Sequence, residues 1–322
     1  MAMIEAAAER LRGQARVTPL LSSDALDRIA GRRVLVKAEC LQHTGSFKFR
    51  GGYAAISALT VQQRARGVLA WSSGNHAQGV ARAAALLGAP AVIVMPADAP
   101  RVKIDGTRAL GAEVVLYDRV RDNREAIATA LAQERGLTPI PPFDHAQVIA
   151  GQGSVGLEIA AQAAAEGITS ADVLVCCGGG GLTAGIALAL AERAPGLIPR
   201  PVEPEGFDDT VRSLACGDRV RNTAVSGLCD AILTPTPGEL TFPILRAHCR
   251  PGLAVSDTQV LRAMALAARH LKLVLEPGGA VALAAALSGS RDAAGDVVIV
   301  VASGGNVDGR VLLRALDTGD EG

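Results

Sequence analysis

The chain has 322 residues, 49% hydrophobic and 20% charged, a globular composition with room for two domains. Its formal net charge is zero and aromatic residues make up 2%, which leaves no electrostatic or stacking basis for nucleic acid or an anionic membrane as partner. No apolar run reaches the length of a membrane span, and the six cysteines show neither CxxC nor Cys/His spacing, which argues against zinc and against a disulfide framework.

The first segment, "MAMIEAAAERLRGQ", spaces acids and bases as an amphipathic helix does and a signal peptide does not, so a cytoplasmic protein is expected. From Val68 to Tyr117 the chain alternates. "VLAWS" predicts a strand, "NHAQGVARAAALLG" a helix, "AVIVM" a strand, "RVKIDGTRALG" a helix and "EVVLY" a strand. "LTPIPPFDHAQVIAG", rich in proline and poor in periodicity, reads as a crossing between domains. "GSVGLEIAAQAAAEG" then predicts a helix, "DVLVCC" a strand, "GGGGLTAGIALALAER" a glycine turn opening a helix, and "DVVIVVA" a late strand. Of the adjacent Cys176 and Cys177, one is expected to face the core as a small hydrophobe. The stretch from Pro199 to Gly252 is expected to be mostly loops. The alternation predicts an α/β fold of two lobes, each with a mainly parallel twisted sheet flanked by helices, with a cleft between them. Ligands of such sheets bind beyond the carboxyl ends of strands, where glycine-rich turns follow.

Three segments carry candidate chemistry. Gly178 to Gly181 follow a buried strand and open a helix, so backbone N–H groups and the helix N-terminus can close around a phosphate; the bland alternative is a tight turn that needs glycine for its backbone angles. The same run satisfies G-x-G-x-x-A through Gly179, Gly181 and Ala184, with Glu203 placed like a ribose-binding acid, which keeps an NAD-dependent dehydrogenase as a rival. Ser72, Ser73, Gly74 and Asn75 lie between a strand and a helix and offer hydroxyls, an amide and N–H groups to a carboxylate or a phenolate. His76, beside them, is a candidate base or a packing residue. The third segment is "HTGSFKFRGG", residues 43 to 52. Only Lys37, Lys48, Lys103 and Lys272 among the 32 basic residues are lysines, yet Lys48 sits between two of five phenylalanines. Either its stem snorkels along apolar surface or its amine is desolvated, neutral and nucleophilic, as a Schiff base requires. A phosphate-gripping loop and an activated lysine together indicate pyridoxal 5'-phosphate.

"TGSFKFRGG", "SSGNHAQGVA", "PPFDHAQVIAGQG", "GGGGL" and "SGGNVD" occur in this order over most of the chain. They resemble the threonine/serine dehydratases and serine racemases, pyridoxal-phosphate enzymes of the tryptophan-synthase-β fold type. The resemblance implies that Lys48 is the Schiff-base lysine, that Phe47 backs the cofactor ring and that Asn75 bonds its phenolic oxygen. It implies that Ser72, Ser73, Gly74, Asn75 and His76 receive the substrate carboxylate, with Ser73 facing Cα opposite the lysine. Gly178, Gly179, Gly180, Gly181 and Leu182 would form the phosphate cup, and Ser303 would meet the pyridine nitrogen. Glu203 and Asp209, with the carbonyl of Phe207, would form a divalent-metal site suited to Mg²⁺ or Ca²⁺; the bland reading of this acidic pair is a solvated loop. The implied division is a large cofactor-binding domain of residues 1–50 and 145–322 and a small substrate-side domain of 51–144, in a homodimer.

The resemblance implies a dehydratase that turns a 3-hydroxy amino acid such as L-threonine or L-serine into a 2-keto acid and ammonia. Alternatives are a serine racemase, a dehydratase for 3-hydroxyaspartate or phenylserine and, outside catalysis, a ligand-binding α/β protein. A serine beside the pyridine nitrogen makes a weaker electron sink than a carboxylate and favours elimination over racemisation. No regulatory domain is expected after the catalytic region. Val225-Ser226-Gly227 stands where many relatives read Ala-Asp-Gly; that aspartate lies toward the substrate, so a bulkier or differently charged substrate is in view.

Overall fold

The computed structural model describes residues 1–223, 226–288 and 295–318. Two sheets organise the chain. The larger runs, in spatial order, Leu20–Ser22, Arg33–Lys37, Val297–Val301, Ala171–Cys176, Leu197–Pro204 and Leu253–Val255. Only the first of these pairs antiparallel; every other ladder is parallel. The smaller sheet runs Glu113–Tyr117, Ala91–Pro96, Val68–Trp71 and Thr138–Pro139, all parallel. Ala91–Pro96 and Ala171–Cys176 are buried at every position, as parallel strands covered by helices on both faces must be, which is why they read as unbroken apolar runs. Cys176 and Cys177 are both buried, not one of the pair. Among the described residues no helix is long and apolar enough to cross a membrane.

One expectation needs correction and another needs detail. The proline-rich crossing is partly regular: Thr138–Pro139 adds a strand to the smaller sheet, and the helix Ala146–Ala165 begins well inside the segment. The stretch from Pro199 to Gly252 is irregular at just over half of its described residues, as expected, but its loops connect regular elements. It completes the strand Leu197–Pro204 and holds the helices Asp209–Cys216 and Thr241–His248. Prolines usually exclude a central strand. Here Pro199 and Pro201 pair with Val173 and Val175 on one side, while the other neighbour joins only from Val202 onward, so the missing N–H groups cost no ladder bond there.

The helix Lys48–Ser57 packs against the helices Asn75–Leu86 and Ala146–Ala165. Its anchor is Arg50, 1% exposed. The guanidinium bonds both carboxylate oxygens of buried Glu39 at 2.8 Å, and reaches Glu158 Oε1 at 2.7 Å and Oε2 at 3.0 Å. Lys37 Nζ joins from the neighbouring strand, 2.5 Å from Glu158 and 2.7 Å from the Thr18 carbonyl. Burial alone would raise the Glu39 carboxyl, but the adjacent Arg50 charge overrides it and holds the group below the ordinary carboxylate range. Arg50→Met should therefore leave buried Glu39 without its ion-pair partner, Glu158 keeping Lys37, and cost about 3–5 kcal/mol of stability in urea unfolding. Arg50→Lys should recover only part of this, because an ammonium cannot span both oxygens. A loss below about 1 kcal/mol for Arg50→Met, the level of an exposed pair, would remove Arg50 as the anchor.

Candidate active site

Lys48 stands at the first position of its helix, after a turn in which Thr44 takes a left-handed φ of 58°. The Phe47 N–H donates to the Ser303 carbonyl at 3.1 Å, and Ser46 bridges to Gly304, so this turn is tied to the segment after the strand Val297–Val301. The ammonium of Lys48 donates to the Pro142 carbonyl at 2.8 Å and lies 5.2 Å from the centre of the Phe47 ring. Burial pushes its pKa down to about 8, against the partial support of neighbouring Cys176 and Glu276. The amine is still mostly protonated at pH 7, but its neutral form is far more accessible than that of an exposed lysine.

The opposite wall is the turn after the strand Val68–Trp71. Ser72 N–H holds the Val94 carbonyl, the Gly74 N–H donates to Ser72 Oγ at 3.2 Å, and Asn75 opens the next helix, whose first-turn N–H groups have no partner within the helix. The Asn75 side chain is clamped from both ends. Its Nδ2 donates to Glu276 Oε1 at 2.5 Å and its Oδ1 accepts from Asn306 Nδ2 at 2.7 Å. That fixes the amide's orientation and leaves one Nδ2 hydrogen for a ligand. Ser73 is partly buried in the same turn. His76 is not a base here. It is buried, its Nε2–H donates to the Ile140 carbonyl at 2.7 Å, and burial together with the Lys48 charge pushes its pKa down to about 3. Any contact of His76 with a ligand falls to its backbone.

The third wall is the glycine turn. Gly180 has a left-handed φ of 88°, and Gly181 starts the helix Gly181–Arg193 that carries Leu182. Among the described residues, the N–H groups of Gly178, Gly179 and Gly180 donate no hydrogen bond. Three unbonded amides at a helix N-terminus are a cradle for a phosphate, and with a buried lysine of lowered pKa and an oriented amide they fit pyridoxal phosphate. Ser303, buried at the end of its strand, accepts the S–H of Cys176 at 3.0 Å.

Glu203 lies at the end of Leu197–Pro204, fully buried, accepting the N–H of Thr210 at 3.2 Å and of Val211 at 2.9 Å. A carboxylate so engaged is not free for a ribose diol, and the acidic pair is not a solvated loop either. Burial and the nearby Asp209 raise Glu203 well above the carboxylate range, while burial pushes Asp209 up to about 6. Asp209 Oδ1 accepts from Asn222, but its buried Oδ2 has no partner. Among the described residues no three His, Cys, Asp or Glu side chains gather around a common point. A cation here would take its other ligands from backbone carbonyls and water. Phe207 is buried beside the pair, and Phe207, Ser226 and Gly227 line one cavity of about 460 Å³. Val225 falls outside the described residues.

Sequence reasoning missed Glu276, Asn306, Cys176 and the Pro142 carbonyl as members of this site. Burial pushes Glu276 up to about 7, with Asn75, Lys103 and Lys48 opposing and Asp230 assisting. Its only local signal is an acid directly before "PGGA", where Pro277 opens the helix Pro277–Leu287.

Known proteins resemble this chain in sequence and fold. The crystal structure of a T.th. threonine deaminase superposes with a TM-score of 0.90 at 45% identity, covering 96% of this chain and 98% of that one. The L-threo-3-hydroxyaspartate ammonia-lyase of a Pseudomonas species is 44% identical over 303 residues, 94% of this chain and 93% of that protein. The serine racemase of Schizosaccharomyces pombe is 39% identical over 306 residues, 95% of this chain and 93% of its own length. The family described as pyridoxal-phosphate dependent enzyme matches residues 11–304, which span the lysine turn, the serine-asparagine turn and the glycine turn alike. The dehydrogenase reading therefore falls, and the chain belongs to the pyridoxal-phosphate dependent enzymes.

Proposed function

We propose that this enzyme is an ammonia-lyase that removes water from a 3-hydroxy amino acid and releases a 2-keto acid and ammonia. The observation that carries the reading is Lys48, a buried amine brought down to about 8 beside an amide clamped by Glu276 and Asn306. Bound pyridoxal phosphate supplies an electrophilic carbon and a conjugated ring that draws electrons from the substrate's Cα. Gly178 to Gly181 and the Leu182 amide hold its phosphate, the free Nδ2 hydrogen of Asn75 meets its phenolic oxygen, Phe47 packs on its ring, and Ser303 faces its ring nitrogen. Ser72, Ser73, Gly74 and the backbone of Asn75 and His76 take the substrate carboxylate. Lys48, in the neutral form that burial makes accessible, removes the Cα proton. Ser73, on the other side, passes a proton to the departing hydroxyl, which leaves as water, and regains one from solvent.

The relatives named above act on threonine, 3-hydroxyaspartate and serine, so the family leaves the side chain open. L-threonine or L-serine is the proposed substrate. Ser226, in place of an acid, removes a negative charge from the substrate side and brings 3-hydroxyaspartate and phenylserine within range. Racemisation of serine is the second reading, favoured by the S. pombe relative and by a hydroxyl at Ser73. The proposed assembly is a homodimer, and the proposed location cytoplasmic. Glu203, Asp209 and the Phe207 carbonyl are proposed to hold Mg²⁺ or Ca²⁺, since the unpartnered Asp209 Oδ2 lies in a buried acidic pair. The bound cation would supply charge to these carboxylates.

Lys48→Ala should lower turnover by about 10²–10⁴-fold or more, the range of a lost acid–base group, while the protein still binds the cofactor's phosphate. Peptide mapping after borohydride treatment should find the pyridoxyl label on Lys48; a label on Lys37, Lys103 or Lys272 sinks the assignment.

Keto-acid release should be measured over L-threonine, L-serine, L-threo-3-hydroxyaspartate and phenylserine, with D-serine followed by chiral chromatography. Keto acid should dominate, and the smaller D-serine yield should fall further in Ser73→Ala. D-serine exceeding pyruvate at early times would make the enzyme a racemase.

Chelation should lower the thermal midpoint, because a cation at a hundredfold excess over its Kd adds about 2.7 kcal/mol. Glu203→Ala should abolish the response to added Mg²⁺ or Ca²⁺. A wild-type midpoint and activity indifferent to both chelator and cation would leave the acidic pair without a metal.

A further inference from the structure

Cys176 ends the strand Ala171–Cys176 immediately before the glycine turn and has no part in the chemistry proposed above. Its side chain is buried, and its S–H points at Ser303 Oγ across 3.0 Å. Ser303 is held in turn through its carbonyl, which accepts the Phe47 N–H. Burial pushes the thiol up to about 11, and Glu276 adds to the rise while Ser303 and Lys48 oppose it, so at neutral pH the sulfur carries its hydrogen. A serine hydroxyl has one hydrogen to give. Once its oxygen receives the thiol's hydrogen, its own hydrogen must point away from the sulfur.

We propose that Cys176 is a positioning residue that orients the Ser303 hydroxyl as a donor toward the ring nitrogen of the cofactor. The proposal rests on the assignment of Ser303 to that nitrogen. Its consequence is a choice of protonation state. A ring nitrogen without a proton can only accept, and it matches a hydroxyl turned outward by the thiol. A protonated nitrogen would have to take the oxygen's second lone pair, leaving the serine hydrogen with no acceptor among the described residues. The pair Cys176–Ser303 therefore favours the unprotonated nitrogen. It keeps the ring a weaker electron sink, which favours expelling the β-hydroxyl over reprotonating Cα.

The S–H stretching band in the infrared spectrum reads this arrangement directly. The band that disappears in Cys176→Ala identifies the thiol among the six cysteines. In the protein without cofactor, Ser303→Ala should shift that band to higher frequency, because the acceptor is gone. Pyridoxal phosphate added to the wild type should shift it to lower frequency, because a hydroxyl that donates becomes a better acceptor. A band indifferent to Ser303→Ala overturns the orientation by Cys176. A band that responds to Ser303→Ala but not to the cofactor overturns the assignment of Ser303 to the ring nitrogen, and the proposal with it. Cofactor affinity gives the second readout. Cys176→Ala should weaken binding about threefold to tenfold, whereas Cys176→Ser, which keeps a donor, should stay within about twofold of wild type. Equal losses in the two variants would reduce the thiol to packing volume. Should Cys176→Ala fail to fold, the Ser303→Ala difference spectrum identifies the band, and Cys176→Ser takes over the binding comparison.

Discussion

The first turn of the helix Lys48–Ser57 lies against the helix Asn75–Leu86 with no side chain between them. A Cβ on Gly79 would sit 2.9 Å from the carbonyl carbon of Lys48, closer than real contacts allow. On the other flank a Cβ on Gly151 would stand 2.6 Å from the Arg50 carbonyl. Backbone pressed on backbone carries position from one helix to the next without the slack of rotamers. The lysine turn and the serine-asparagine turn come from different parts of the chain, yet this contact fixes their separation. Arg50, two residues past Lys48, adds the polar half of the constraint, since its guanidinium finds buried Glu39 and partly buried Glu158 only when the helix is seated. Arg50 is itself too buried to serve the cleft.

Within the cleft, burial moves each ionisable group toward its neutral form. Lys48 is brought down to about 8, Glu276 up to about 7 and His76 down to about 3. Lys48 and Glu276 partly compensate one another, which is why neither is driven further. Groups poised this close to neutral pH can take up or release a proton at small cost, the condition that acid–base chemistry needs. The same burial disqualifies His76, whose remaining proton is committed to a backbone carbonyl. Glu276 acts differently from Lys48: its bond to Asn75 sets the direction of an amide and leaves nothing to chance in the Asn75 rotamer.

Much of this was legible in the sequence because parallel strands buried on both faces leave unbroken apolar runs, and helices over them leave alanine-rich ones. Lys48 stood out through its scarcity and its phenylalanine neighbours. The strand Leu197–Pro204 was hidden, since Pro199 and Pro201 deny the pattern of a central strand and only its staggered pairing makes them harmless. Glu276 was hidden for a different reason: its partner Asn75 is 201 residues away, and no local periodicity encodes that contact. Cys176 looked like core, which it is, and its bond to Ser303 appears only when two strand ends are brought side by side.

The glycine turn shows what a residue count can and cannot carry. Four glycines in a row favour an anion over a simple turn on count alone, yet each has a packing reason of its own. A Cβ would meet Thr234 at Gly178, the Phe143 ring at Gly179, Phe143 again at Gly181, and Thr241 at Gly180, whose left-handed φ already asks for glycine. Packing alone explains the composition. What packing does not explain is that the N–H groups of Gly178, Gly179 and Gly180 remain unbonded among the described residues, just ahead of a helix whose own first-turn amides have no partner within it. Orphaned donors at a helix N-terminus cost free energy unless an anion or water answers them. The case for a phosphate at this turn therefore rests on the amides, and the glycines are there to let Phe143, Thr234 and Thr241 close around them.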